Sequence, residues 1–296
     1  MFGMGSDTGG SVRIPAAVHG LFGLKSTYGR ISRAGIQPNS FSFDVAGPLT
    51  RSVRDNALVM QVIAGHDPAD PTTADRPVPS YTAELDKGIK GLRLGVIRRF
   101  HERDVKADAS VVAALEKAIA TCRELGAEII EIDVPYSVQQ ARTVVSTIGQ
   151  AESLAIHEAD FRERHAEMGQ ALREKFMSSL TVSALDFVKA TRWRREMTLA
   201  TETAFAKVDA VLCAAAFWQV PRLDDDDGMM AYTAGSAMCC FNVTGHPSAS
   251  ICSGFGPTGL PMSLQIVGKH FDEATVLRVG QAYETATDWH KRHPTL

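Results

Sequence analysis

The 296-residue chain has few cysteines and no long apolar or basic run. Its five cysteines, Cys122, Cys213, Cys239, Cys240 and Cys252, are odd in number and show no Cys-x-x-Cys spacing. That argues against a disulfide framework and a cysteine-based zinc site, and points to buried thiols in a reducing compartment. No stretch approaches the ~20 apolar residues of a membrane span. The first residues carry neither a basic segment nor an apolar core, so they do not read as a signal peptide. A soluble, cytoplasmic protein is expected. With 31 basic and 34 acidic residues the net charge is −3, and no basic block is present. Nucleic acid and anionic membranes are therefore not expected partners. Aromatic residues make up only 7%, but the 45% apolar content is ordinary for a globular protein. The length suffices for a sizeable core without staples.

Glycine is unevenly spread. Nine of the 24 fall in the first fifty residues, which predicts tight turns and close backbone approaches there rather than long regular elements. Beyond them, Ser52 is placed to cap a helix over 53–64, with Gly65 as its stop. Four prolines, at 68, 71, 77 and 79, mark 66–90 as a surface excursion. Leu92 to Ile97 reads as a strand. Asp108 is placed to cap a helix to Leu125, whose face is Val111, Leu115, Ala118, Cys122 and Leu125. Ala127 to Val134 reads as the next strand, so a parallel right-handed crossover is predicted. Residues 136–208 read as mostly helical. Asp209 to Ala215 is a short apolar strand, Ser248 to Val267 a hairpin around Gly-Phe-Gly-Pro-Thr-Gly, and 272–287 a final helix.

The chemistry concentrates in Gly5-Ser6-Asp7-Thr8-Gly9-Gly10-Ser11-Val12-Arg13. Successive glycines let several N–H groups point to one place, which suits an anion or a developing oxyanion. Ser11, at the end of that nest, is placed as a nucleophile, and Asp7 and Arg13 are opposite charges able to brace the loop. A Gly-rich turn with a capping serine is an equally good reading of these residues alone. A phosphate loop is disfavoured, because Gly-Lys-Ser/Thr is missing.

Other segments read more plainly. Asp224 to Asp227 lacks the spacing of a calcium loop and reads as solvated. His246 before Pro247 reads as a turn histidine, and His290 and His293 as an exposed tail. For Trp193, Phe205, Trp218, Met229 and Met230, a pocket wall and core packing are equally consistent. No ligand cluster for a metal is evident, and no organic cofactor is implied.

The run Gly-Ser-Asp-Thr-Gly-Gly-Ser-Val-Arg-Ile-Pro-Ala-Ala, followed by Gly20-Leu21-Phe22-Gly23-Leu24-Lys25 and Thr27-Tyr28-Gly29-Arg30, closely resembles the amidase signature family. So do Phe43-Asp44, Gly47-Pro48, Phe241 to Pro247, Gly259-Leu260-Pro261, Gln265 and Phe271 to Thr275. The resemblance covers essentially the whole chain and is least distinctive over 135–230. It implies an α/β fold, a mixed β-sheet between layers of α-helices, as one amidase domain over 1–296. It also implies hydrolysis of a small-molecule amide through a serine acyl-enzyme, with no metal or organic cofactor. Ser11 matches the nucleophile, and the backbone N–H groups of Thr8, Gly9, Gly10 and Ser11 match the oxyanion hole. The family's proton acceptor is a lysine acting through a second serine, both placed before this motif. Lys25 matches a different family lysine, and Ser6 does not match the bridging serine. The chain thus resembles the C-terminal portion of an amidase, and alone it is expected to be nearly silent and marginally stable. Gln265 to Arg292 is also similar to the corresponding stretch of the glutaminase component in glutamine-dependent tRNA amidotransferases, which would bring further protein partners and tRNA. A catalytically silent remnant is the third alternative. Oligomeric state is left open, a homodimer included.

Overall fold

The computed structural model describes residues 1–293. Eight strands form one mixed sheet: β1 (Phe2–Asp7), β2 (Phe22–Lys25), β3 (Val45–Thr50), β4 (Arg93–Val96), β5 (Glu128–Glu131), β6 (Ala210–Ala214), β7 (Ser248–Phe255) and β8 (Pro261–Gly268). Their order across the sheet is β1-β3-β2-β7-β8-β6-β4-β5. β4 runs parallel to β5 and β6. All other neighbouring pairs are antiparallel. The Gly-dense start therefore does hold regular elements, but short ones. It contributes three strands and α1 (Arg13–His19).

Nine α-helices flank the sheet among the described residues: α1, α2 (Val53–Ile63), α3 (Ala109–Glu124), α4 (Val138–Arg164), α5 (Gln170–Ser179), α6 (Ala184–Phe205), α7 (Asp226–Ala234), α8 (Met238–Val243) and α9 (Glu273–Thr287). Strand side chains alternate between faces, and this separates the helices into layers. Phe22 and Gly268 lie against α9 residues, Phe22 over Gly280 and Gly268 under Val276. An odd number of positions along each strand, Gly23 and Gln265 meet α1, at Ala16 and Arg13. α2 and α3 share the α9 layer, while α4 packs on α5, α6 and α8. Two helical layers thus enclose the sheet, as the family resemblance implies.

Several expectations hold. Ser52 caps α2 by accepting from Asp55 N–H. The strand, helix and strand over 93–131 form a parallel pair, and the hairpin and final helix lie where periodicity placed them. Both long helices in 136–208 begin with capping boxes, at Ser137 and Ser183. Asp108 does precede α3, but its side chain does not cap it. Its carboxylate instead accepts from Gln219 N–H at 3.1 Å, tying α3 to the segment after β6. The excursion over 66–90 is not wholly on the surface, since Tyr81, Leu85 and Ile89 are buried in the main core. All five cysteines are buried and free. The acidic run at Asp224 is not merely loop, because Asp225 caps α7 by accepting from Gly228 N–H. No helix among the described residues is long and apolar enough to cross a membrane.

Candidate active site

The site is built at the join of β1 and α1. β1 ends at Asp7, α1 begins at Arg13, and residues 8–12 turn between them. The turn is shaped by one side chain. Asp7 Oδ1 accepts from Gly10 N–H at 2.8 Å, and Oδ2 accepts from Val12 N–H at 3.1 Å. Arg13 closes the circle, with Nε 3.0 Å from Oδ2 and Nη2 2.9 Å from Oδ1. Gly10 has φ +135, and a Cβ there would come within 2.9 Å of Ile14 Cδ1. Only glycine takes that conformation without strain.

Asp7 and Arg13 are both fully buried. A buried ion pair must be densely hydrogen-bonded to repay desolvation, and this one is. Arg13 Nη1 donates to Met238 O and Gln265 Oε1 at 2.8 Å, and to Ser248 Oγ at 3.1 Å. Nη2 also donates to Asn242 Oδ1 at 2.6 Å, and Asn242 Nδ2 returns a bond to Asp7 Oδ1 at 2.8 Å. Burial by itself would raise the Asp7 pKa. The Arg13 charge and the bonds from Arg13 and Asn242 outweigh it and hold the carboxyl at about 2.

The start of the loop is braced from the other side. Thr8 Oγ1 donates to Asp44 Oδ1 at 2.6 Å and accepts from Asn39 Nδ2 at 3.1 Å. Asn39 Oδ1 in turn accepts from Lys175 Nζ on α5 at 2.7 Å. α4 closes over the middle, with Val145 the nearest group to Gly9.

Within this frame Ser11 is exposed, and no described residue hydrogen-bonds its Oγ. The N–H groups of Thr8, Gly9 and Ser11 have no protein partner among the described residues, whereas that of Gly10 is committed to Asp7. The carboxylate that folds the loop thus occupies one of the four N–H groups and leaves the other three unpaired among the described residues.

Lys25 is the other buried charge nearby. Burial, reinforced by the Arg13 charge, pushes its pKa down to about 7, and its ammonium donates to Ser26 O at 2.9 Å. The roles of Asn39, Asp44, Lys175, Asn242 and Gln265 were not legible from local spacing. Three of them stood in segments that resemble the family, but nothing in the sequence said what they touch. Phe205 is core, whereas Trp193 is 45% exposed and Met230 is 69% exposed. His246 lies on the connection from α8 to β7 and is fully buried. It stacks on His270 beside Glu202, a grouping that no sequence spacing indicated.

The geometry has counterparts. The sequence profile of the amidase family matches residues 1–277. An amidase of Pseudomonas putida is 39% identical, covering 99% of this chain and 64% of that protein. The A-type component of the glutamyl-tRNA(Gln) amidotransferase of Roseiflexus castenholzii is 37% identical, with the same shares. The solved structure of the same amidotransferase component from Thermotoga maritima superposes with a TM-score of 0.82 at 28% identity. The match covers 96% of this chain and 62% of that one. A mixed sheet between helical layers defines an α/β architecture, and the chain belongs to the amidase family. It spans 64% of the length of these curated relatives.

Proposed function

We propose that this chain carries the nucleophile loop of an amide hydrolase, with Ser11 as the attacking residue. The observation that carries the reading is the buried Asp7–Arg13 pair, which fixes the turn while leaving Ser11 exposed beside unpaired N–H groups. In the reaction, Ser11 Oγ adds to the amide carbonyl and its proton passes to a base. The N–H groups of Gly9 and Ser11, with that of Thr8, stabilise the oxyanion. The tetrahedral species collapses, the amine leaves protonated, and water then attacks the acyl-serine to release the acid. The loop is preorganised before substrate arrives, and such donors act without reorganising in the transition state.

A serine hydroxyl attacks slowly until a base takes its proton, and general-base help is worth ~100- to 10,000-fold. No side chain among the described residues hydrogen-bonds Ser11 Oγ, so this arrangement does not itself supply the acceptor. The family resemblance assigns that part to a lysine acting through a second serine. The substrate is a small-molecule carboxylic amide, and no metal or organic cofactor takes part in the reaction.

The second reading is the glutaminase component of a tRNA amidotransferase, favoured by the 37% identity to such a protein. Ammonia release from glutamine, measured beside release from simple aliphatic and aryl amides, separates the two. Amide turnover without a glutamine preference supports the hydrolase, and turnover confined to glutamine supports the amidotransferase. In either case Ser11→Ala abolishes release. Undiminished turnover by that variant overturns the nucleophile assignment.

A further inference from the structure

Away from the loop, three metal-ligating side chains converge from three elements. Glu202 lies near the end of α6, His246 on the connection from α8 to β7, and His270 on the connection from β8 to α9. One ligand atom from each lies within 4.8 Å of the others. We propose that Glu202, His246 and His270 bind a divalent transition-metal ion of the zinc class, which fastens α6 to the two connections.

The donor chemistry fits. Two imidazoles and one carboxylate form a known zinc donor set, which leaves a fourth position for water. Glu202 is half exposed and His270 29% exposed, so solvent reaches that position. His246 Nε2 is buried and has no hydrogen-bond partner, an unusual state for a ring nitrogen. It lies 3.8 Å from Glu202 Oε1, and His270 Nδ1 lies 2.5 Å from the same oxygen. Ligands at ordinary zinc bond lengths stand about 3.3 Å apart in a tetrahedron, a value between those two.

The second nitrogen of each ring is engaged by one residue. A ligating histidine generally holds its second ring nitrogen on a neighbouring oxygen. Here both such oxygens belong to Thr244. Its Oγ1 lies 2.9 Å from His246 Nδ1, and its carbonyl accepts from His270 Nε2 at 2.8 Å. Thr244 thus engages one nitrogen of each ring and leaves His246 Nε2 and His270 Nδ1 on the side of Glu202. Phe271, next to His270, has φ +63. That is a strained conformation for an aromatic residue, held by a bond from its N–H to Thr27 Oγ1 at 2.8 Å.

Without an ion the two rings stack, with centroids 4.0 Å apart and planes 21° apart. A shared ion must lie near the plane of both rings, so binding turns the more exposed His270 out of the stack.

The test uses chelator-stripped protein titrated with zinc by calorimetry, and with cobalt by visible absorption. One ion per chain is expected, with a raised Tm and a tetrahedral cobalt spectrum. Glu202→Gln and His270→Ala, both at partly exposed positions, should each weaken binding on the order of 10-fold or more. If either variant fails to fold, the other carries the comparison. Absence of saturable binding overturns the site, as does binding whose affinity is the same in the folded variants.

Discussion

Asp7 works at the scale of a single residue, since one carboxylate both turns the loop and neutralises the guanidinium that anchors it. Removing one partner of a buried ion pair strands the other, at a cost of ~3–5 kcal/mol. Arg13→Met is therefore expected to lower unfolding free energy by about that amount in denaturant titration. The Asp7 pKa is depressed from 3.8 to about 2. Its stabilisation is complete above the unfolded value, roughly pH 4, and is lost as pH falls toward 2. Lys25 behaves differently. Its pKa falls from 10.5 to about 7, so between those values the unfolded chain binds more protons and stability rises with pH. Lys25→Met should flatten that rise, as read from midpoints measured between pH 7 and 10. A slope unchanged by the substitution would assign the rise to other groups. Asp7 and Arg13 were legible as a pair because they flank one short loop. Asn242 and Gln265 were not, because they reach Arg13 across 229 and 252 positions of sequence.

At the scale of elements, legibility followed periodicity. α2, α3 and α9 carry helical apolar spacing with a stop or cap beside it, and they lie within a residue or two of expectation. The proline-rich excursion was misread in part because proline and aspartate density reports backbone turning, not what isolated apolar residues touch. Tyr81, 1% exposed, anchors that stretch in the core. Tyr81→Ala is expected to cost about 3 kcal/mol through the cavity it leaves. The Tyr81 hydroxyl is buried without a partner, so Tyr81→Phe removes an unsatisfied polar group and should be neutral or stabilising. A loss on Tyr81→Phe as large as that on Tyr81→Ala would place the anchor in the hydroxyl rather than the ring. Gly23 shows a limit of another kind. A Cβ there would stand 2.5 Å from Ala16 Cβ, a contact between α1 and β2 that no local pattern displays.

At the scale of the whole molecule, the sheet has two unlike edges. β5 is four residues long, with exposed Glu128 and Glu131 at its ends, and short charged edges resist pairing with other chains. β1 is six residues long, carries no charged side chain before Asp7, and pairs only with β3 among the described strands. Phe2 and Met4 on it are 58% and 48% exposed. Concentration-dependent association through β1 is expected, and Met4→Lys should reduce it in sedimentation velocity. The same strand delivers Asp7, so edge and active-site loop are continuous. The order of strands from β1 to β5 could not be read from the sequence, since it depends on antiparallel neighbours far apart in the chain. This end of the sheet is proposed to present Ser11 as a nucleophile on a loop fixed by Asp7 and Arg13. The most direct test of this is exposure of an amide-hydrolysing form of the protein, one that supplies the proton acceptor, to a serine-directed fluorophosphonate, followed by mass-spectrometric mapping of the adduct. One adduct on Ser11, absent in Ser11→Ala and slowed in Arg13→Met, is the predicted result. An adduct on another residue, or labelling undiminished in Ser11→Ala, would contradict it.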